Sequence, residues 1–266
     1  MKLRLFRRWA LSSLLFPVLI ISAYADSINM GTAGTYAVLA GTTVTNTGTT
    51  TINGDLGISP GCALTGGSTM TVSGTINPCN PASLKAQNDL ITAYNQAAGL
   101  KNASSLTGTD LGGLFLKSGV YSFTSSAGLA AGTTLTLEGT PGARFVFQIG
   151  TTLTTGSASS VIFINSLTGK PMTDPHIYWQ VGSSATLGTS TRFEGNILAL
   201  TSITLNTGAT INCGSALARN GAVALQGNTI TNCGSKTTAV PEPGTMSFMG
   251  MGLLVLVAGV RRRIGI

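Results

Sequence analysis

A phrase that recurs along the chain constrains its fold more than any other feature. An apolar strand, a Gly or Thr corner, two small polar residues and a second, alternating strand appear in succession. The copies are FVFQIGTTLTTG from Phe145, IYWQVGSSATLG from Ile177, ILALTSITLN from Ile197 and ALARNGAVALQ from Ala216. The corner falls at Gly150, Gly182, Thr201 and Gly221, with spacings of 32, 19 and 20. The polar, proline-containing stretch 166–176 accounts for the longer first spacing as a loop. An earlier copy, AVLAGTTVTNTG, starts at Ala37 with Gly41 at its corner. A period near twenty, made of short β-rich strands broken by Gly, Asn and Ser, predicts a β-solenoid, because each unit buries its apolar side only by stacking on a neighbour. Equivalent strands then pair in register about 4.8 Å apart, and alternation sends Leu153, Leu187, Leu205 and Leu225 inward. A β-sandwich also shows short alternating strands and is the competing architecture.

One segment has a different period. Ala86, Leu90, Ala93, Ala97 and Leu100 step by four and three, with Ile91 and Tyr94 widening the stripe. This predicts a single amphipathic helix over about 82–100, lying along the flank of the solenoid. Pro81 suits its start and Lys101 its C-terminal end.

The outward positions of the repeated strand carry threonine and serine. They are Thr43 and Thr45 around Val44, Thr134 and Thr136 around Leu135, and Thr152 and Thr154 around Leu153. Ser184 and Thr186 follow around Ala185, Ser202 and Thr204 around Ile203, and Ala222 and Ala224 around Val223. Stacking predicts two columns of small hydroxyl and methyl groups. The turns after Gly156, Gly188 and Gly208 offer a second candidate row at Thr189, Thr207, Thr210 and Thr229. Such a surface lacks the aromatic and arginine anchors of a protein interface. Charged residues make up 9% of the chain, against about 25% in an ordinary domain. The formal charge of +7 resides at the ends, in Lys2, Arg4, Arg7 and Arg8 and in Arg261, Arg262 and Arg263. The body is nearly neutral and has no basic groove for nucleic acid. What it offers is a rigid array: a β-branched threonine holds few rotamers, its methyl orders adjacent water and its hydroxyl joins that water's network. The competing reading is that threonine is simply a good strand residue on an exposed face.

Residues 1–25 read as a secretory signal, with a basic start, an apolar run from Leu11 to Ile21 and small residues at Ala23 and Ala25. The mature chain is then expected to begin near Asp26, with a domain over 26–239 and a tail over 240–266. In that tail Pro241-Glu242-Pro243 precedes an apolar stretch, 246–260, and the cluster Arg261-Arg262-Arg263. The order of motif, spanning helix and positive stop resembles the PEP-CTERM sorting tail of Gram-negative bacteria. That resemblance implies signal peptidase and an exosortase-like enzyme as export partners, transient anchoring in the inner membrane and a secreted or cell-surface destination. A plain C-terminal anchor is the alternative.

Export makes the four cysteines a disulfide question. Cys213 and Cys233 sit in repeated Asn-Cys-Gly-Ser phrases twenty residues apart, which places them on adjacent coils about 5 Å apart. Their bond would close the last coil, and Cys62 and Cys79 remain as the other pair. No CxxC spacing points to a metal. The acids Asp55, Asp110, Glu138, Asp174 and Glu194 are dispersed, Arg192 and Glu194 read as a surface ion pair, and His176 stands alone in the 166–176 loop. No GxxxxGK[ST] loop occurs. Neither an enzyme nor a cofactor is expected.

The phrases YAVLAGTTVTNTG from Tyr36, TINGDLGISPG from Thr51, VYSFTSSAGL from Val120 and GNILALTSITLNTGATI from Gly195, with the copies quoted above, resemble the microbial ice-binding protein family. The resemblance covers the whole mature body. It implies a right-handed, discontinuous β-solenoid with one long helix packed along its side, and adsorption to ice or ordered water through one face. Thr207-Gly208-Ala209-Thr210 matches the family's T-A/G-x-T/N motif, whereas Gln226-Gly227-Asn228-Thr229 departs at its first residue. A structural or adhesive matrix protein, with extracellular polysaccharide as partner, is the alternative function.

Overall fold

Each repeat makes one coil of three strand segments, and like segments of neighbouring coils pair in parallel. The computed structural model describes residues 28–172 and 176–234; the expected signal segment and sorting tail lie outside them. We name the three sides in chain order. Face a carries Gly119–Phe123, Phe145–Ile149 and Ile177–Val181; face b carries Ala127–Leu129, Leu153–Thr155 and Ala185–Leu187; face c carries Thr134–Gly139 and Ser160–Asn165. In Arg192–Ala199 and Thr210–Ala218 one strand runs from face c into face a, with its register shift between Glu194 and Asn196. The corner from a to b is tight. A Cβ on Gly41 would lie 2.5 Å from the Arg219 carbonyl oxygen, and one on Gly150 2.6 Å from that of Thr124. That close approach of successive coils explains the recurring glycine.

The order of strands along the stack differs from their order along the chain. On face b it runs Ala127–Leu129, Leu153–Thr155, Ala185–Leu187, Ile203–Leu205, Val223–Gln226, Thr43–Thr47 and Ala63–Thr65. The N-terminal copy therefore stacks on the last copy: Val38 pairs with Ala216, Val44 with Val223 and Ile52 with Ile230. After two such coils the chain travels along the flank as helix α1 (Pro81–Gly99) and starts the opposite end of the stack at Ser104. The fold is thus a discontinuous β-solenoid.

Helix α1 begins with a capping box, in which the Asn80 side chain accepts from the Ser83 N–H at 2.9 Å and Ser83 Oγ accepts from the Asn80 N–H at 3.2 Å. Pro81 occupies the first turn, where no donor is lost. Ala86, Leu90, Ala93, Tyr94 and Ala97 are buried against Leu39, Val146, Tyr178, Leu198 and Leu217 of face a. Ile91 does not widen this stripe. It lies about 100° around the helix from Leu90 and stays 37% exposed. Polar bonds fix the helix to the sheet: Gln87 Nε2 donates to the Ala218 carbonyl at 3.1 Å and Tyr94 Oη to that of Val181 at 3.3 Å.

The interior changes along the stack. Tyr121, Phe147, Trp179 and Phe193 form a ladder of rings, with Phe147 and Trp179 stacked at 3.9 Å. Coils beyond it are filled by smaller side chains such as Ile197, Ala216 and Val38. The 166–176 stretch is not wholly a loop, because Pro171–Met172 pairs antiparallel with Phe163 and Ile164 and extends the sheet as a short hairpin. Both expected disulfides are present, Cys213–Cys233 with Cα atoms 4.6 Å apart and Cys62–Cys79 at 4.8 Å. The first does not close an end of the solenoid, since the N-terminal coils stack beyond it. Cys62–Cys79 lies in the terminal coil instead. Among the described residues no helix is long and apolar enough to cross a membrane.

Candidate functional site

Face b is a single sheet of seven parallel strands. Ala127, Leu153, Ala185, Ile203, Val223 and Val44 point inward and are buried. The residues between them point out. One column reads Gly128, Thr154, Thr186, Thr204, Ala224, Thr45 and Thr65, each paired with the next. The column beside it reads Thr152, Ser184, Ser202, Ala222, Thr43 and Ala63, as set by ladder bonds from Leu153 N to Ser184 O, Ala185 N to Ser202 O and Ile203 N to Ala222 O. Neither column contains a charge. At strand spacing the face is roughly 30 Å long, with about 7 Å between outward positions on a strand.

The two columns differ in what their hydroxyls do. Ser184 Oγ and Ser202 Oγ accept from the backbone N–H groups of Ser202 and Ala222, at 3.4 and 3.3 Å. The hydroxyls of Thr154, Thr186 and Thr204 have no protein partner among the described residues and present both methyl and O–H to solvent.

Buried polar groups hold the corner between faces b and c. Thr155, where neighbouring coils have leucine, bonds Thr191 Oγ1 at 3.0 Å and accepts from the Gly188 N–H at 3.0 Å. Farther along, Asn228 donates to the carbonyls of Asn206 and Ala209, both at 2.9 Å, and accepts from the Gln226 N–H at 2.6 Å. Its own N–H reaches Thr50 Oγ1 at 3.1 Å, and Thr50 donates to Asn46 Oδ1 at 2.6 Å. This chain crosses the joint where the two ends of the protein meet. Sequence reasoning missed Asn46 and Thr50. For Asn228 the signal was present, in the Gln226-Gly227-Asn228-Thr229 departure from the repeated motif.

The structure brings together Thr43, Thr45, Thr152, Thr154, Ser184, Thr186, Ser202 and Thr204, as expected. It does not bring Thr134 and Thr136 to them. Those two lie on face c, paired with Ser160 and Ile162, and Thr136 is buried. The strand of that coil on face b is Ala127–Leu129. Period-2 alternation is the same on every face, so it cannot say which face a strand occupies. The second row also divides. Thr189 and Thr207 sit at the corner, where Thr207 Oγ1 bonds Gln226 Oε1 at 3.2 Å, while Thr210 and Thr229 pair on face c.

The charged groups lie elsewhere. Glu194 is 4% exposed, not at the surface, and accepts from Asn212 Nδ2 at 3.1 Å. It sits beside a dent of about 340 Å³ in face c, lined also by Arg192, Ile162 and Thr231. Asp55 accepts from the Thr75 N–H at 2.8 Å and Thr35 Oγ1 at 2.7 Å, and Asp110 from the Gly112 N–H at 2.6 Å, so both secure turns. His176 directly precedes the face a strand Ile177–Val181, its carbonyl accepting from the Phe145 N–H at 3.1 Å. On the helix, burial pushes the Asp89 carboxyl up, but bonds from Thr32 and Lys85 outweigh it and hold the group below its ordinary value.

The chain is similar to an ice-binding protein of Nostoc sp. (strain HG1), 50% identical over 247 residues that span 91% of this chain and 90% of that one. An ice-binding protein of Colwellia sp. is 35% identical over 79% of this chain and 86% of its own length. Among solved structures, an ice-binding protein from an Antarctic biological consortium superposes with a TM-score of 0.72 at 42% identity, covering 78% of this chain and 91% of that one. One from the ascomycete Antarctomyces psychrotrophicus gives 0.71 at 37% identity, covering 77% and 98%. Residues 239–263 match the PEP-CTERM protein-sorting motif. With residues 38–231 matching the Ice-binding-like family model, the chain belongs to that family.

Proposed function

We propose that this protein is an exported ice-binding protein that adsorbs to ice through face b and curbs crystal growth or recrystallisation. One observation carries the reading. Thr154, Thr186 and Thr204 repeat in register at the pitch of a rigid sheet, with free hydroxyls and no charge among them. A lattice of bound water needs such a repeat, and side chains already fixed in their rotamers lose little entropy on contact. Ser184, Ser202, Thr43, Thr45 and Thr152 widen the same array. Thr189 and Thr207 border it at the corner and would meet the rim of an ice surface. The protein acts by adsorption and needs no reaction or cofactor. Its sorting motif supports passage through signal peptidase and an exosortase-like enzyme, with the 246–260 segment as a temporary inner-membrane anchor and the cell surface or medium as destination. The test is direct: the mature chain at micromolar concentration should facet growing ice crystals and keep grains small in an annealed ice film. Crystals that grow as in buffer would refute the proposal.

A further inference from the structure

We infer that the protein carries a second ice-contact surface, on the half of face c nearest the joint between the chain ends; this rests on the reading of face b as the first. The observation is a four-strand register. Thr210 pairs with Thr229, Thr229 with Thr51, and Thr51 with Thr71. Two residues along each strand a second outward column reads Asn212, Thr231, Asn53 and Ser73. Asn53 Nδ2 donates to Thr231 Oγ1 at 3.1 Å, so this column is laddered across the joint. The phrase between the columns is Thr-Ile-Asn, Thr-Ile-Thr, Thr-Ile-Asn and Thr-Val-Ser.

Local repetition does not explain this agreement. Thr229 and Thr51 belong to opposite ends of the chain, yet the same outward chemistry stands on both sides of the joint. The floor is nearly as uniform: Ile211, Ile230 and Ile52 are buried beneath the columns, with the partly buried Val72 in the terminal coil. Equal β-branched residues in register keep the strands level. The other half of face c lacks both properties. Its floor mixes Leu135, Val161 and Phe193, its outward positions include Ile162 and Arg192, and the dent marks the border between the halves, with Ile162 and Arg192 on one side and Thr210, Thr229 and Thr231 on the other. The arrays also complement each other. In the coil where face b is interrupted by Ala222 and Ala224, face c presents Thr229 and Thr231.

The two arrays are separated by turns whose glycines, Gly208, Gly227 and Gly48, are left-handed with φ of 69°, 61° and 74°. They face different directions, so a single flat ice plane meets one array at a time. The protein is therefore expected to occupy two families of ice planes, or an edge where two meet.

The experiment is ice-plane labelling with the fluorescent mature chain on a single-crystal ice hemisphere. The wild type should mark two sets of planes. Thr51→Tyr and Thr229→Tyr should each weaken one set about tenfold and leave the other bright, while Thr186→Tyr does the reverse. Circular dichroism verifies folding, and Thr71→Tyr at the exposed terminal coil replaces either variant if it misfolds. One set of planes, erased by Thr186→Tyr and indifferent to the three face c variants, would overturn the second surface and leave the first. Loss with the face c variants alone would overturn the reading of face b and leave face c as the binding surface. No labelling by the wild type would overturn both.

Discussion

Faces b and c are built from the same coils by the same alternation, yet only b is neutral along its whole length. The difference lies in where the coils put their spare residues. Away from the joint, neighbouring b strands pair in register although 18 to 32 residues separate them in the chain. The surplus is extruded between faces c and a, at the turn between Gly139 and Phe145 and after Asn165, where Pro171–Met172 folds back on Phe163 and Ile164. Strands on c accordingly range from three residues in Phe115–Lys117 to six in Ser160–Asn165, over a floor that includes Phe163 and Phe193. Face c bears the dent, a 72% exposed Phe115 and the exposed Arg192, with Glu194 buried beneath. Flatness is therefore a matter of which corner takes the insertions, not of uniform coil length.

The largest expected effect comes from breaking the wide interior behind face c. Trp179 is fully buried between Phe147 and Phe193, and its Nε1 donates to the Glu194 carbonyl at 3.0 Å. Trp179→Ala should cost about 3–5 kcal/mol in denaturant unfolding, and hydrogen exchange should accelerate first at Phe145–Ile149 and Phe193. A loss below about 1 kcal/mol would show that the ring ladder does not hold the wide coils. A milder change sharpens the contrast from the other side. Ala222→Thr with Ala224→Thr fills the gap in the middle of both columns of face b; stability should move by no more than about 0.5 kcal/mol, while less protein suffices to stop recrystallisation. Unchanged or weaker activity would mean that the gap at Val223 is not a defect of the array.

The smallest effect concerns neither face. Asp89 on helix α1 holds Thr32 through its N–H at 2.7 Å and its hydroxyl at 2.5 Å, and Lys85 at 2.9 Å. Its folded pKa lies below the ordinary value of an aspartate carboxyl. Its contribution is therefore complete above that value and is lost as the pH falls through the lower, folded one. Hydrogen exchange in 28–35 should rise only in that acidic window, Asp89→Asn should remove the dependence, and ice activity should not follow it. Loosening at neutral pH would contradict this assignment.

The stacking, the helix and the Cys213–Cys233 disulfide were legible because each has a local signature: the glycine corner, the three-and-four step from Ala86 to Ala97, and the twin Asn-Cys-Gly phrases; Cys62–Cys79 followed only as the remaining pair. The joint was not legible from spacing. That Val44 lies on Val223 follows from a long-range return of the chain along helix α1, and only the family resemblance implied a discontinuity. Thr134 was misplaced because its strand matches the repeated phrase better than the true face b strand, whose outward residue is Gly128. Glu194 was read as a surface charge because alternation marks it outward. The bend of its strand into face a and the cover of Asn212 bury it.

The central claim is that ice is met by the columns through Thr154, Thr186 and Thr204. Its most direct test is the recrystallisation endpoint of the mature chain measured beside Thr186→Tyr, Thr204→Tyr and Ser160→Tyr. A tyrosine at either column position lifts face b from a flat lattice by a ring's width while Leu187 and Leu205 stay packed, so the endpoint should rise more than about tenfold with the unfolding midpoint unchanged. Ser160→Tyr, in line with Arg192 on the charged half of face c, should leave the endpoint where it is. Full activity in both column variants, or equal loss in all three, would contradict the assignment of face b.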